Sequence, residues 1–186
     1  MGVVTRQIGA TVEIRYVDAP LWNTDQARQV LTDQARAYLE LALQDLAGFI
    51  SEEAPVGVSG NLAQSFGASP ATADGGIEIT GSTLETLEGR VFSSLPYAIV
   101  IDQGRTPGAR MPPPAALITW VERVLQVGGS REEVETVAFL VARAIGRKGI
   151  QARNFVAAGV EKWTPRGEAV FALLAEAIAS GLVKPN

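Results

Sequence analysis

Neither cysteine nor histidine occurs anywhere in the 186 residues. That double absence excludes disulfide staples, zinc sites of the usual Cys/His kinds, and any Ser or Cys nucleophile served by a histidine base. Catalysis would have to rest on Asp, Glu, Lys, Tyr or a cofactor. A cysteine-free chain tolerates either redox compartment, so the absence does not locate the protein. Basic residues are also in deficit: 16 Lys and Arg stand against 20 Asp and Glu, a net charge of −4. A general nucleic-acid binder needs a clustered basic excess instead. No apolar run reaches the roughly 18 residues of a membrane span, so no membrane partner is expected. The opening MGVVTRQIGATVEIRYVD lacks the charged segment and apolar core of a signal peptide, so folding in a cytoplasm is expected.

What is present is an ordinary globular composition, 47% hydrophobic and 19% charged, in a length suited to one domain with extensions. Between Val3 and Val17 the residues Val12, Ile14 and Tyr16 alternate with polar ones, predicting a half-buried strand or a hairpin interrupted at Gly9. Asn23 followed by Gln26 matches a capping box opening a helix. Val30, Leu31, Leu39, Leu43, Leu46, Phe49 and Ile50 carry that helix from Thr24 to about Glu53, where Pro55 stops it. At 1.5 Å per residue it is about 40 Å long, more than a small sheet covers. The excess either packs on another subunit or bends over the chain's own core.

The Gly-, Ser- and Pro-rich segment Ala54 to Gly76 predicts a long loop. Three short β-branched or aromatic runs follow: Gly76 to Thr80, Gly89 to Ser94, and Tyr97 to Asp102. They predict a meandering antiparallel sheet with the almost wholly apolar third run at its centre. Gly104 to Pro114 reads as an exposed loop with solvated arginines. Its prolines introduce a helix to about Gln126 with Leu117, Trp120, Val121, Val124 and Leu125 on one face. Ser130 with Glu133 is a second capping box, opening a helix through Ile145 that Gly149 terminates. Gln151 to Trp163 fits strand or helix equally, and Thr164-Pro165 introduces a last helix from about Arg166 to Ser180.

Few constellations suggest chemistry. The pairs Glu52/Glu53 and Glu132/Glu133 lie near helix ends, where acids are ordinarily solvated. Asp102 closes an apolar run just before an exposed loop, a common place for functional groups, but an Asx turn capping the strand end is the favoured reading. Gly104 and Gly108 lack phosphate-loop spacing, so neither cofactor nor nucleotide is expected. Arg105 and Arg110, with Arg147, Lys148 and Arg153, form either a basic patch for nucleic acid or an acidic partner surface, or a solvated face, the last favoured because no aromatic residues interleave with them. Trp120 fits a core stripe, while Trp22 and Trp163 suit the core or an interface.

Four stretches, in order, resemble the tail-completion or neck proteins of tailed bacteriophages. Ala54-Pro55 with Ser59-Gly60-Asn61-Leu62 and Ser65-Phe66 is similar to that family's Ala-Pro, Thr-Gly-Asn-Leu and Ser-Ile pattern after its first helix. Tyr97-Ala98 with Asp102 and Gly104 is similar to its Tyr-Ala, apolar, Glu-x-Gly-Thr element. Pro112 to Trp120 and Val137 to Gly149 match helices of longer members, and Arg153-Asn154-Phe155-Val156 matches a closing Arg-Pro-Phe-Leu. Ser59, Asp102, Arg105 and Asn154 depart from the residues usual there. The first ~20 residues and the last helix lie outside the pattern and rest on periodicity alone.

The resemblance implies a ring-forming virion protein, hexameric, joining the head connector to the tail tube and letting DNA pass without sequence-specific binding. Adaptor, tail-tube or terminator proteins would be its partners, and Asn61, Leu62, Asp102, Gly104, Arg105, Arg110 and Phe155 its candidate interaction residues. A tail-terminator subunit is the nearest alternative; a cytosolic dimeric ligand-binding or regulatory domain, with a pocket beside Asp102, is the other. The expected fold is α+β: a small antiparallel sheet packed against a long N-terminal helix, with additional C-terminal helices. Residues 1–22 are expected to form a strand or arm, 23–163 the main domain and 164–186 a terminal helix.

Overall fold

A computed structural model describes residues 8–13, 25–57 and 59–179. The chain is α+β. Strands β1 (Ile8–Glu13), β2 (Gly75–Thr80) and β3 (Glu88–Ser93) form one antiparallel sheet in the order β1-β3-β2. Helices α1 (Asp25–Glu53), α2 (Asn61–Gly67), α3 (Ala98–Gln103), α4 (Ile118–Val124), α5 (Arg131–Lys148) and α6 (Phe155–Ala179) make up the rest. Asn23, Ile14, Tyr16 and Trp22, on which parts of the N-terminal reading rest, lie outside the described residues.

The core lies between α1, α6, α2 and one face of the sheet. Leu31, Ala35, Leu39, Ala42, Leu43, Leu46, Ala47 and Ile50 follow the helical period and are buried along α1. In β3 the alternate residues Gly89, Val91 and Ser93 face them, and the missing side chain at Gly89 lets Leu39 and Leu43 approach the backbone. The opposite sheet face is polar at Glu78 and Arg90, which are directly paired across β2 and β3 and form an ion pair. The Arg90 guanidinium also stacks 4.6 Å over Phe92. Beneath the sheet, Ser65 Oγ lies 2.7 Å from the Leu62 carbonyl and 2.8 Å from Ser93 Oγ. Ser65 donating to the carbonyl and Ser93 donating to Ser65 satisfies all three buried groups.

Helices α1 and α6 run antiparallel. Gly159 sits against Ile50, where a Cβ would come 2.8 Å from the Ile50 Cα, so the two backbones approach closely. Ion pairs Glu53–Lys162 and Asp45–Arg166 flank the crossing on its exposed side. The length of α1 thus finds cover within the chain, from α6 as well as the sheet.

Four expectations are corrected. Tyr97 to Asp102 is not a central strand: it is mostly α3, and β1 takes the second place beside β3. A run of four apolar residues has no visible period, whereas the burial of Ala98 and Asp102, four apart, is that of one helix face. β1 continues through Gly9, which lies so close to the β3 backbone that no side chain would fit. The Ala54 to Gly76 segment is interrupted by α2, which buries Leu62, Ser65 and Phe66 at helical spacing. Finally, 151–163 and the last helix are one element: α6 starts at Phe155 and runs through Pro165. Pro165 is exposed, so the carbonyl deprived of its donor faces water, while Gly159 and Trp163 hold the same helix on the core.

Candidate interaction surface

Residues 104–153 leave the body and return to it at nearly the same point. Gly104, at φ 76°, turns the chain out of α3, and a Cβ there would lie 2.7 Å from both the Ala152 nitrogen and the Ile150 oxygen. Arg105 and Ile150 then exchange backbone hydrogen bonds of 2.8 and 2.9 Å, forming a two-residue antiparallel stalk. The Gly108 amide donates to the Gly146 carbonyl at 2.8 Å, tying the proline-rich loop to the end of α5.

Asp102 closes the stalk at the body. Its carbonyl accepts from the Arg153 and Asn154 amides at 3.0 and 2.8 Å, and its carboxylate Oδ1 accepts from the Val156 amide at 3.0 Å. Only 7% exposed, Asp102 therefore caps the first turn of α6 from another element, placing negative charge at the positive end of that helix. The aspartate expected to cap a strand end caps a helix start instead.

Beyond the stalk stands a helical lobe. The sequence pattern holds here: a 3-10 turn at Pro114–Leu117 leads into α4, and Ser130 and Glu133 form the reciprocal capping box that opens α5. Gly149, at φ 74°, ends α5 with its amide on the Ile145 carbonyl. The lobe has a small core of its own: Val121, Val134 and Ala138, with Leu117, Ile118, Val127, Val137 and Val141 packed around them.

This core leaves much apolar surface uncovered. Trp120 is 40% exposed and Leu140 54%, and Val124, Leu125 and Phe139 are exposed as well. The expected stripe on α4 thus buries Val121 fully but not Trp120, because a two-helix lobe has no third layer to cover the outer flank. Leu140, Arg143, Ala144, Arg147 and Lys148 line a shallow groove along the last turns of α5. Charge is concentrated here too. Residues 104–153 hold eight of the 16 basic side chains and four of the 20 acidic ones, a net +4, leaving −8 on the rest of the chain.

The candidate residues from the sequence separate into three places. Gly104, Arg105 and Arg110 belong to the stalk and its loop. Arg105 is not solvated as expected: its guanidinium donates to the Arg110 carbonyl, and its buried Nε finds no partner among the described residues. Arg110 and Asn61 are exposed. Leu62 and Phe155 are 3% and 2% exposed in the main core, where the Phe155 ring meets Phe66 edge-on with centroids 5.9 Å apart. Neither presents a surface to a partner. Trp163 is likewise buried, as its core reading required, with Nε1 unpaired among the described residues.

Sequence reasoning missed the outward faces of the helices. Their signal is the apolar residues left over once one helical stripe has been assigned to a core, Phe139 and Leu140 above all. Among the described residues no three His, Cys, Asp or Glu side chains converge as metal ligands, and no helix is long and apolar enough to cross a membrane. No protein-family model, curated protein or solved structure matches this chain.

Proposed function

We propose that this chain is a structural subunit of the head-to-tail junction of a tailed bacteriophage, working by assembly rather than by turnover. Copies form a ring, hexameric by the family resemblance, between the head connector and the tail tube, and DNA passes through its lumen. The observation that carries this reading is the lobe of residues 104–153. It is a stalked, basic, two-helix projection whose Trp120, Val124, Leu125, Phe139 and Leu140 remain exposed. Apolar side chains rimmed by charge characterise surfaces that become buried against another protein. The order of the four motif stretches gives the same reading its particular setting.

Electron microscopy of the phage particle that carries this chain tests the proposal. A ring of this subunit between connector and tail tube is the expected result; its absence from the virion overturns it.

A further inference from the structure

We infer that the outer face of α5 docks on the outer face of α1 in a second copy of this chain, a head-to-tail contact that rests on the ring-forming reading above. On α5 the exposed stripe comprises Phe139, Leu140, Arg143, Ala144 and Arg147, with Lys148 beside it. The arginines and Lys148 have no ion-pair partner among the described residues. On α1 the side turned away from the core is acidic: Asp33, Glu40 and Glu52 are exposed, with Leu41 between them at 61% exposure. Among the described residues Asp33 accepts from Gln29, one turn earlier on the same helix. The basic residues of α1 point elsewhere, since Arg36 donates to the Gly81 carbonyl and Arg28 lies near enough to Glu85 to act on its charge.

Over the stretch from Leu140 to Lys148 on α5, and from Leu41 back to Asp33 on α1, the stripes carry charge of opposite sign beside an apolar centre. Their spacing is compatible with antiparallel pairing. From Leu140 to Arg147 is about 10 Å along the helix axis, and from Leu41 back to Asp33 about 12 Å. With the two leucines opposed, Arg147 comes level with Asp33, and Arg143 comes within reach of Glu40. A contact of either stripe with its own copy would instead oppose Arg143 and Arg147 to themselves, or Asp33 and Glu40 to themselves, and like charges disfavour both. The contact is therefore between unlike surfaces, the kind that closes into rings when the rotation allows.

Two double variants test this, Arg143→Glu with Arg147→Glu and Asp33→Lys with Glu40→Lys, by mass photometry and light scattering across a concentration series at low and high salt. The wild type is expected to self-associate, more weakly as salt shortens the screening length from about 10 Å at 0.1 M to about 3 Å at 1 M. Each variant alone is expected to associate at least about tenfold more weakly. An equimolar mixture of the two is expected to recover assembly, because each then offers the other an opposite charge on both faces. Recovery also shows that both variants are folded. A wild type that assembles while both variants assemble equally well overturns this contact and leaves the ring reading standing. Variants that fail alone and also fail together overturn it too, as does a wild type that stays monomeric throughout. The ring reading itself falls only if the subunit is also missing from the virion.

Discussion

Replacing Asp102 by alanine removes the side-chain acceptor for the Val156 amide while keeping the Asp102 carbonyl that holds Arg153 and Asn154. A hydrogen bond to a charged group contributes about 1.5–3 kcal/mol, and an anion at a partly buried helix start up to about 2 kcal/mol. The two overlap, since the same carboxylate supplies both, so a loss of about 2–4 kcal/mol is expected. For a chain of 186 residues each kcal/mol shifts Tm by about 2–4 °C, giving a fall of about 4–16 °C. Asp102→Asn retains an acceptor oxygen and loses only the charge, and should cost about 0.5–1.5 kcal/mol. Urea unfolding followed by circular dichroism measures both. Amide exchange supplies the local readout, with Val156 expected to exchange faster in the alanine variant. An alanine variant within about 0.5 kcal/mol of wild type would refute the capping role, since that is the ordinary scatter of surface substitutions. So would an asparagine variant as unstable as the alanine one.

Gly159→Ala sets two effects against each other. Helix propensity alone favours alanine by about 1 kcal/mol, whereas forcing a Cβ against the Ile50 backbone costs about 1–3 kcal/mol. A net loss of stability in urea is expected, and a gain would mean that α1 and α6 are not in close contact there. The Tyr97 hydroxyl is held above its ordinary 10.0 by burial and, secondarily, by the negative charge of Asp74. A raised phenol stabilises the fold fully below the unfolded value, and the contribution is lost as pH rises through the folded value. Absorbance at 295 nm should therefore show a late component of tyrosine ionisation that disappears in Tyr97→Phe, whose alkaline loss of stability should also be smaller. An unchanged titration curve in that variant would count against the assignment.

Much of the local structure was legible along the chain because its signals are short-range. The capping box at Ser130 and Glu133, the glycine stop at Gly149, the apolar period of α1 and the runs that became β2 and β3 depend on neighbours three or four residues away. Where the signal was short or absent, tertiary contacts decided. The apolar run from Tyr97 to Asp102 reads as a central strand, and the structure makes it a helix in which Asp102 reaches the start of α6 while Ala98 enters the core. Pro165 marks a helix start in isolation, yet α6 passes through it because Gly159, Trp163 and the pairs Lys162–Glu53 and Arg166–Asp45 keep the helix on α1.

The candidate site divides along the same line. Composition alone determined that chemistry needing cysteine or histidine is excluded, and the order of turns and helices determined an α+β chain with a proline-rich loop ahead of a helical pair. Only the tertiary structure could show that the segment from Gly104 to Arg153 leaves and rejoins the body at Asp102, with Leu62 and Phe155 inside the core and Trp120 and Leu140 outside it. The physical reason is that burial belongs to the pairing of faces: a helical stripe says that one side of a helix is apolar, but which neighbour covers it, and which side is left bare, is settled by packing between residues far apart in the chain.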